Sequence, residues 1–533
     1  MRMTRRLAWA VLPLVLSFAM AGTQAGTESL PGRARGSGSA LVKPPELLPP
    51  RVVAPCEPGH CPFAGQHVTV LAVDDIPIGG PVVELKAEYE AATGATLEIV
   101  RRPVEELFST LMSDLSSSTN RYDACIAGAW WLGELVEGNY LLDYDRYYND
   151  PRFPTWDINQ VLPAPRSLLT YAGRKYMVAN DHDGQVLYTR RDLMEDPQHR
   201  AAFQRTYGYP LRVPTTWEEV RDVAEYFNGK DLNGDGQPDH GIILPLMTGA
   251  QGMFHYMSLS APFVIGPANP NLYWFDPDTM KPLIDSPGHA RAMRVLVDLV
   301  KFGPREMLTW DLGRGWDHFL AGRAAIALTW GDLGALAQQQ GSRVRGKVLT
   351  APLPGTRAYY DVVHRAWVPT SEPNRVGNTT GGSWAGVISR YSKAPAATYY
   401  LLALMASQPK SEVYAARATD GIDPGRRFHF LPPQGTGRIE TYVRAGWDPD
   451  DARDFLHAYY DTYMNPLQFP YLRIPGAYSY WQVLDLHLAQ AAAGHLTPEA
   501  ALKATAIDFE EITIRLGRER QRRAYRASLG LLR

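Results

Sequence analysis

Beyond its first residues the chain lacks any apolar run near the roughly 20 residues that span a bilayer, so residues 26–533 contain no candidate membrane helix. It also lacks a basic excess. The formal charge is −2, and −5 once Arg2, Arg5 and Arg6 are set aside, which argues against a nucleic-acid partner. Cysteine is scarce, with three in 533 residues, too few for a disulfide-built scaffold. Short catalytic signatures are missing as well: there is no Gly-x-Ser-x-Gly, no His-Glu-x-x-His, and no glycine-rich loop opening a helix that could cradle phosphate. Gly381-Gly382 leads into a strand pattern instead. His182 beside Asp181 and Asp183 could be drawn as a catalytic cluster, but neighbours on an extended segment point to opposite faces.

What is present begins with an export pattern. Arg2, Arg5 and Arg6 precede the apolar stretch from Leu7 to Met20, and either Ala19-Met20-Ala21 or Thr23-Gln24-Ala25 supplies small residues for a cut. Residues 1–25 are expected to be a signal peptide, leaving a periplasmic or secreted protein. The first cysteine after either cut is Cys56, so no lipid anchor is expected. Residues 26–65 carry eight prolines and six glycines, a composition that predicts a tether or disordered arm. Within it, Pro58-Gly59 can turn the chain and bring Cys56 and Cys61 together as a disulfide. A metal site built on His60 and the two thiolates is the alternative, and no further ligand stands at zinc spacing. Cys125, in the apolar stretch Tyr122 to Ala127, reads as a small buried hydrophobe.

Periodic structure starts at His67. Val68 to Val73 reads as a strand buried on both faces; Val82, Leu85 and Tyr89 recur at helical spacing up to Gly94; Thr96 to Val100 is a second strand. Val104, Leu107, Phe108, Leu111, Met112 and Leu115 mark another helix before the strand at Tyr122 to Ala127. Strand, helix, strand, helix predicts an α/β fold with a parallel, doubly wound sheet. The same vocabulary returns later: strands at 185–188, 242–246, 325–330 and 384–389, and helices at 217–227 and 289–302. In such a sheet ligands sit beyond the carboxyl ends of strands, where Asp74, Asp75, Trp130 and Trp131 fall.

In this order the segments resemble the extracellular solute-binding protein family 1, the sugar-receptor group of ABC importers that includes maltose-binding protein. Tyr122-Asp123-Ala124, Pro214-Thr215-Thr216-Trp217-Glu218-Glu219 and Phe319-Leu320-Ala321-Gly322-Arg323 are similar to motifs of that family. So are Gly381-Gly382-Ser383-Trp384 and Leu496-Thr497-Pro498-Glu499, and the likeness runs from about residue 66 to the C-terminus. It implies a two-lobed periplasmic-binding-protein fold with chain crossings between lobes and the ligand in the cleft. The first lobe would hold residues 66–178 and 328–384, the second 184–322 and 386–533. It also implies a transport partner, an ABC permease, and no catalysis. Ala127-Gly128-Ala129 stands where many relatives carry an acidic residue.

A sugar or polyol presents C–H faces and hydroxyls, so a receptor needs aromatic platforms and hydrogen-bonding carboxylates. Trp130, Trp131, Trp330 and Trp384 are the candidate platforms; Asp74, Asp75, Asp181, Asp183 and Asp332 are candidate acceptors, and Arg473 could fork onto a hydroxyl or carboxylate. Core packing for tryptophan and turn formation for Asp-Gly or Asp-Pro are the plainer roles for these residue types. Asp231, Asn233, Asp235, Gln237 and Asp239 stand at alternate positions with Gly236 at position 6, the spacing of a calcium loop. Ile242 replaces the bidentate glutamate at position 12, and a bound calcium would be structural; the alternative is a polar turn. Two further functions stay open: a secreted carbohydrate-active enzyme using Asp181, Asp183 and Asp332 as carboxylates, and a ligand receptor for a membrane sensor.

Overall fold

The computed structural model describes residues 47–49, 51, 53–75, 77–249, 252–379, 383–419 and 421–531. The expected signal peptide, the first part of the Pro/Gly-rich arm and Gly381-Gly382 lie outside the described residues.

Small and β-branched apolar residues build the strands. β1 (His67–Val73) is buried at every position after His67, as a strand covered on both faces must be. It pairs in parallel with β2 (Thr96–Arg102), from His67–Thr96 to Val73–Arg102, and with β3 (Ala124–Gly128) at Val70–Ala124. The helix Lys86–Thr93 between β1 and β2 ends at Gly94, where φ is 69°. Glycine is required there on two counts, since a Cβ would also stand 2.7 Å from the Cβ of Cys61.

The chain then crosses through Asn180–Gln185 into a second sheet of β4 (Val186–Arg190), β5 (His240–Ile243), β6 (Ala324–Thr329) and β7 (Val348–Ala351), ordered β7-β4-β6-β5. Its helices start on local caps: Thr216 Oγ1 accepts from Glu219 N at 3.3 Å while Glu219 Oε2 accepts from Thr215 N at 2.7 Å, and Ser286 with Pro287 opens Pro287–Leu299. This sheet is mixed rather than parallel throughout: β5 and β6 are parallel, but β4 runs antiparallel to both β6 and β7. β4 arrives directly from the first lobe, so no crossover helix within its own sheet sets its direction.

β8 (Trp384–Ser389) returns to the first sheet, antiparallel to β3 from Trp384–Gly128 to Ile388–Ala124. Helix Pro395–Met405 follows on the same lobe, where Tyr89 Oη donates to Ala397 O at 3.2 Å. The lobes therefore divide differently from expectation. Residues 328–351 belong to the second sheet rather than the first lobe, and residues 386–405 belong to the first rather than the second. An apolar run specifies a buried strand but not its partner, because pairing is decided by contacts distant in sequence.

One apolar core continues from the first sheet into the second lobe, and a smaller one lies beneath Val186, Tyr188, Ala327, Phe455 and Tyr459. The inner part of the arm is a docked strap rather than disordered: Arg51 Nη1 donates to Asp150 O and Phe153 O at 2.8 and 2.9 Å, and Phe63 packs on Phe153 and Tyr400. Cys56 and Cys61 are joined, with Cα atoms 5.1 Å apart, and Cys125 is buried in β3. Among the described residues no helix is long and apolar enough to cross a membrane.

Candidate ligand site at the lobe seam

The carboxyl ends of β1, β3 and β6 and the start of β8 meet where the chain crosses between lobes. Trp130 and Trp131 follow β3 directly, and the first residue of β8 is Trp384; their rings are 5.0 to 5.7 Å apart, edge to face. From Trp130 the contact passes to Trp481, 6.4 Å away on helix Ala477–Ala492, then to Phe254 at 5.5 Å and to Trp330 at the end of β6, 5.9 Å further. An aromatic wall thus runs from one lobe to the other. Edge-to-face pairs of this kind contribute about 0.5–1.5 kcal/mol beyond burial, so the wall also ties the lobes together.

Carboxylates close the wall at both ends. Trp384 O accepts from Asn180 N and Asp181 N at 3.0 and 2.9 Å, which places Asp181 beside it. Asp181 Oδ1 in turn accepts from His182 N at 2.7 Å and Asp423 N at 2.8 Å. Asp423 Oδ2 accepts from Tyr459 Oη at 2.6 Å and from the amides of Gly184 and Gly331 at 3.3 Å, linking the crossing segment to the end of β6. Two glycines make this approach possible. A Cβ on Gly331 would stand 1.8 Å from Asp423 Oδ1, and one on Gly421 would stand 2.6 Å from Asp332 Oδ1. Asp183 Oδ2 accepts from Ser383 N at 3.1 Å, and Ser383 holds φ at 59°, a left-handed conformation that costs a non-glycine residue about 1–2 kcal/mol.

Loss of hydration, reinforced by the neighbouring carboxylates, holds Asp181, Asp183 and Asp423 well above the usual carboxylate range. Desolvation also pushes Asp332 up to about 7, with the charge of Asp75 adding to it. Asp75 is raised by burial even though its Oδ1 accepts the amides of Ile78 and Gly79, both at 2.9 Å.

The structure thus brings Asp75, Asp181, Asp183, Asp332, Trp130, Trp131, Trp330 and Trp384 to one seam. Two other candidates are placed elsewhere. Asp74 is exposed at the edge of β1, 3.1 Å from Arg101. Arg473 donates through Nη1 and Nη2 to the main-chain oxygens of Leu168, Thr170 and Ser528 at 2.9–3.2 Å, pinning a hairpin to the C-terminal helix, while its Nε is buried without a partner. It lines a cleft of about 640 Å³ with Thr170, Thr379, Gln468 and Tyr471, and Tyr471 touches the wall at Trp481, 5.5 Å away.

Asp423, Tyr459, Phe254 and Trp481 were not legible as site residues. Asp423 sits in Gly421-Ile422-Asp423-Pro424-Gly425, a turn composition, and the other three lie on helices far along the chain with no local signal.

The Asp231–Asp239 loop lies apart from the seam and holds itself closed. Asp231 Oδ1 accepts from Gly234 N and Asp235 N at 2.7 and 3.2 Å, Asp239 Oδ2 from Leu232 N at 2.8 Å, and Asp235 Oδ2 pairs with Arg323 at 2.9 Å. Among the described residues no group of three or more His, Cys, Asp or Glu converges as a metal site.

Known proteins share this architecture. An ABC transporter solute-binding protein from Agrobacterium radiobacter K84, solved with ribitol, is 21% identical, with 85% of this chain and all of that one covered at a TM-score of 0.65. Maltose-bound MalE3 of T. maritima is 19% identical, covering 84% of this chain and all of that one at 0.62. A solute-binding protein from Agrobacterium vitis S4 with bound D-mannitol is 18% identical, covering 85% and 99% at 0.61. These structural neighbours are binding proteins rather than enzymes. A probable ABC transporter-binding protein of Deinococcus radiodurans is 21% identical over 310 residues, 57% of this chain; the chain spans 63% of that relative's length. The family model for bacterial extracellular solute-binding proteins matches residues 75–410, from the loop after β1 through both crossings and the return of β8. The chain is accordingly a member of the bacterial extracellular solute-binding protein family.

Proposed function

We propose that this protein is the exported substrate-binding component of an ABC importer and that it binds a carbohydrate or polyol at the lobe seam. The observation that carries this is the continuous aromatic wall contributed by both lobes and flanked by carboxylates, the pairing of apolar faces with polar acceptors that a hydroxylated ligand requires. Its supports beyond the site are the neighbours solved with ribitol, mannitol and maltose, and an export pattern in residues 1–25. Ligand bridging the two sheets stabilises closure, because only the closed form brings both sets of contacts together. The carboxylates then serve as hydrogen-bonding partners, and no bond of the ligand is broken.

Titration of the full chain with ribitol, mannitol, glucose and maltose, followed by tryptophan fluorescence, tests it. Saturable quenching or a blue shift by at least one of them is expected, since six aromatic rings meet at the seam. Silence across the panel, or cleavage products from maltose, overturns it.

For the Asp231–Asp239 loop we propose structural calcium, supported by the alternate oxygens of Asp231, Asn233 and Asp235 and the winding at Gly234 and Gly236, both at φ 79°. The ion would displace Arg323 from Asp235. Melting in millimolar calcium against EDTA should differ in the wild type and not in Asp231→Ala; identical melting curves in the wild type reject it.

A further inference from the structure

Among the described residues four carboxylates, Asp181, Asp183, Asp332 and Asp423, lie close enough to raise one another's pKa and have no cation beside them. Among the described residues no lysine or arginine pairs with Asp181, Asp183, Asp332 or Asp423, and the donors they do have are neutral: main-chain amides and the Tyr459 hydroxyl. The nearest buried guanidinium, Arg426, donates to Ala406 O and Ala179 O and stacks on Trp156, 4.6 Å from the ring centre. His182, between Asp181 and Asp183, packs against Gly425 and the ring of His429, and burial there holds it neutral. Among the described residues, Asp75 and the hydroxyls of Tyr188, Tyr459 and Tyr463 are the remaining ionisable groups around the carboxylates, and none brings positive charge.

A second observation is independent of the acidic character. Asp423 Oδ1 is fully buried with no hydrogen-bond partner, turned toward the bare backbone of Gly331 between Trp330 and Asp332. Ser383 Oγ and Trp481 Nε1 are likewise buried and unpartnered. A buried polar atom left unpaired destabilises the fold unless something completes it. A hydroxyl both donates and accepts, so a neutral sugar suits Ser383 and the indole N–H but brings no charge to the carboxylates. An ammonium is donor only and carries the missing charge.

We propose, building on the reading of the seam as a carbohydrate or polyol site, that the ligand bears a protonated amine that binds at the unpartnered oxygen of Asp423, within the field of Asp181, Asp183 and Asp332. The natural ligand class is an amino sugar or aminopolyol, its hydroxylated body against the aromatic wall and its ammonium at the carboxylates. Asp332, pushed up to about 7, is partly protonated near neutral pH and ionises when that charge arrives, so uptake releases protons.

Matched pairs test this by isothermal titration of the full chain at pH 7.5: glucosamine against glucose and N-acetylglucosamine, and glucamine against sorbitol. The amine member is expected to bind roughly 10- to 100-fold more tightly, the range of charge-assisted hydrogen bonds. Titration in buffers of different ionisation heat should show net proton release for the amines and none for their partners. Asp423→Asn, which keeps the side chain's shape, should narrow the amine preference. Neutral partners binding as tightly as the amines, without a proton difference, overturn the amine assignment and leave the carbohydrate site standing. If none of the five compounds binds, the amine assignment falls, and the titration with ribitol, mannitol, glucose and maltose decides the carbohydrate site separately.

Discussion

Asp332→Asn should make the protein more stable at neutral pH, not less. Its carboxyl is moved from 3.8 to about 7, chiefly by desolvation. A raised acid favours the folded state while protonated; its contribution is intact below 3.8 and is lost as pH climbs through about 7, because the unfolded chain ionises freely and the folded one does not. At about 1.36 kcal/mol per pKa unit the full penalty at pH 7.5 is about 4 kcal/mol. Asp332 retains partial contact with solvent, which reduces this to roughly 2–3 kcal/mol. Asparagine matches the shape and carries no charge. For a unit the size of one lobe, roughly 2–4 °C per kcal/mol, the variant should melt roughly 4–12 °C higher at pH 7.5. At pH 4 the two proteins should melt together. Thermal melts across pH 4 to 8 decide it: curves that coincide at pH 7.5, or a variant that melts lower there, would falsify the claim that the seam is electrostatically loaded.

Trp384→Ala opens the aromatic wall where Trp130 and Trp131 meet it, so it should weaken ligand binding and also destabilise by about 3–5 kcal/mol; Trp384→Phe separates the two effects, keeping most of the stability while still reducing affinity, and unchanged affinity in both would remove the wall from the site. Gly331→Ala keeps an α-region backbone but drives a methyl onto Asp423 Oδ1, so binding should fall roughly 5- to 150-fold, the equivalent of about 1–3 kcal/mol of overpacking; normal titration curves would mean the closed seam is not the bound form. Reducing the Cys56–Cys61 bridge should lower stability by about 2 kcal/mol through loop entropy alone. The strap keeps its contacts through Arg51 and Phe63, so melting with and without reductant should differ in midpoint and remain cooperative.

Local chemistry made much of the fold readable. Continuous apolar runs such as Val68 to Val73 admit only a strand covered on both faces; Gly94 and Thr216 terminate or begin helices through their own backbone and side-chain preferences; Trp130, Trp131 and Asp75 follow strand ends, where an α/β sheet leaves its binding loops. Those signals act over a few residues, so they survive without tertiary information. Strand partnership does not: β6 reads the same whether it joins one sheet or the other, and only its pairing with Tyr188 and Ile242 places it in the second lobe. The same limit applies to the seam. Asp423 is an ordinary turn aspartate until folding sets it beside Asp181 and bares Gly331 to its oxygen, and Arg473 looks free until three main-chain carbonyls claim it. Sequence alone determined which segments are buried and where loops fall, because burial and capping are local free energies. Which charges face each other without a partner was decided by the tertiary structure, since electrostatic energy depends on distances that the order of residues does not contain.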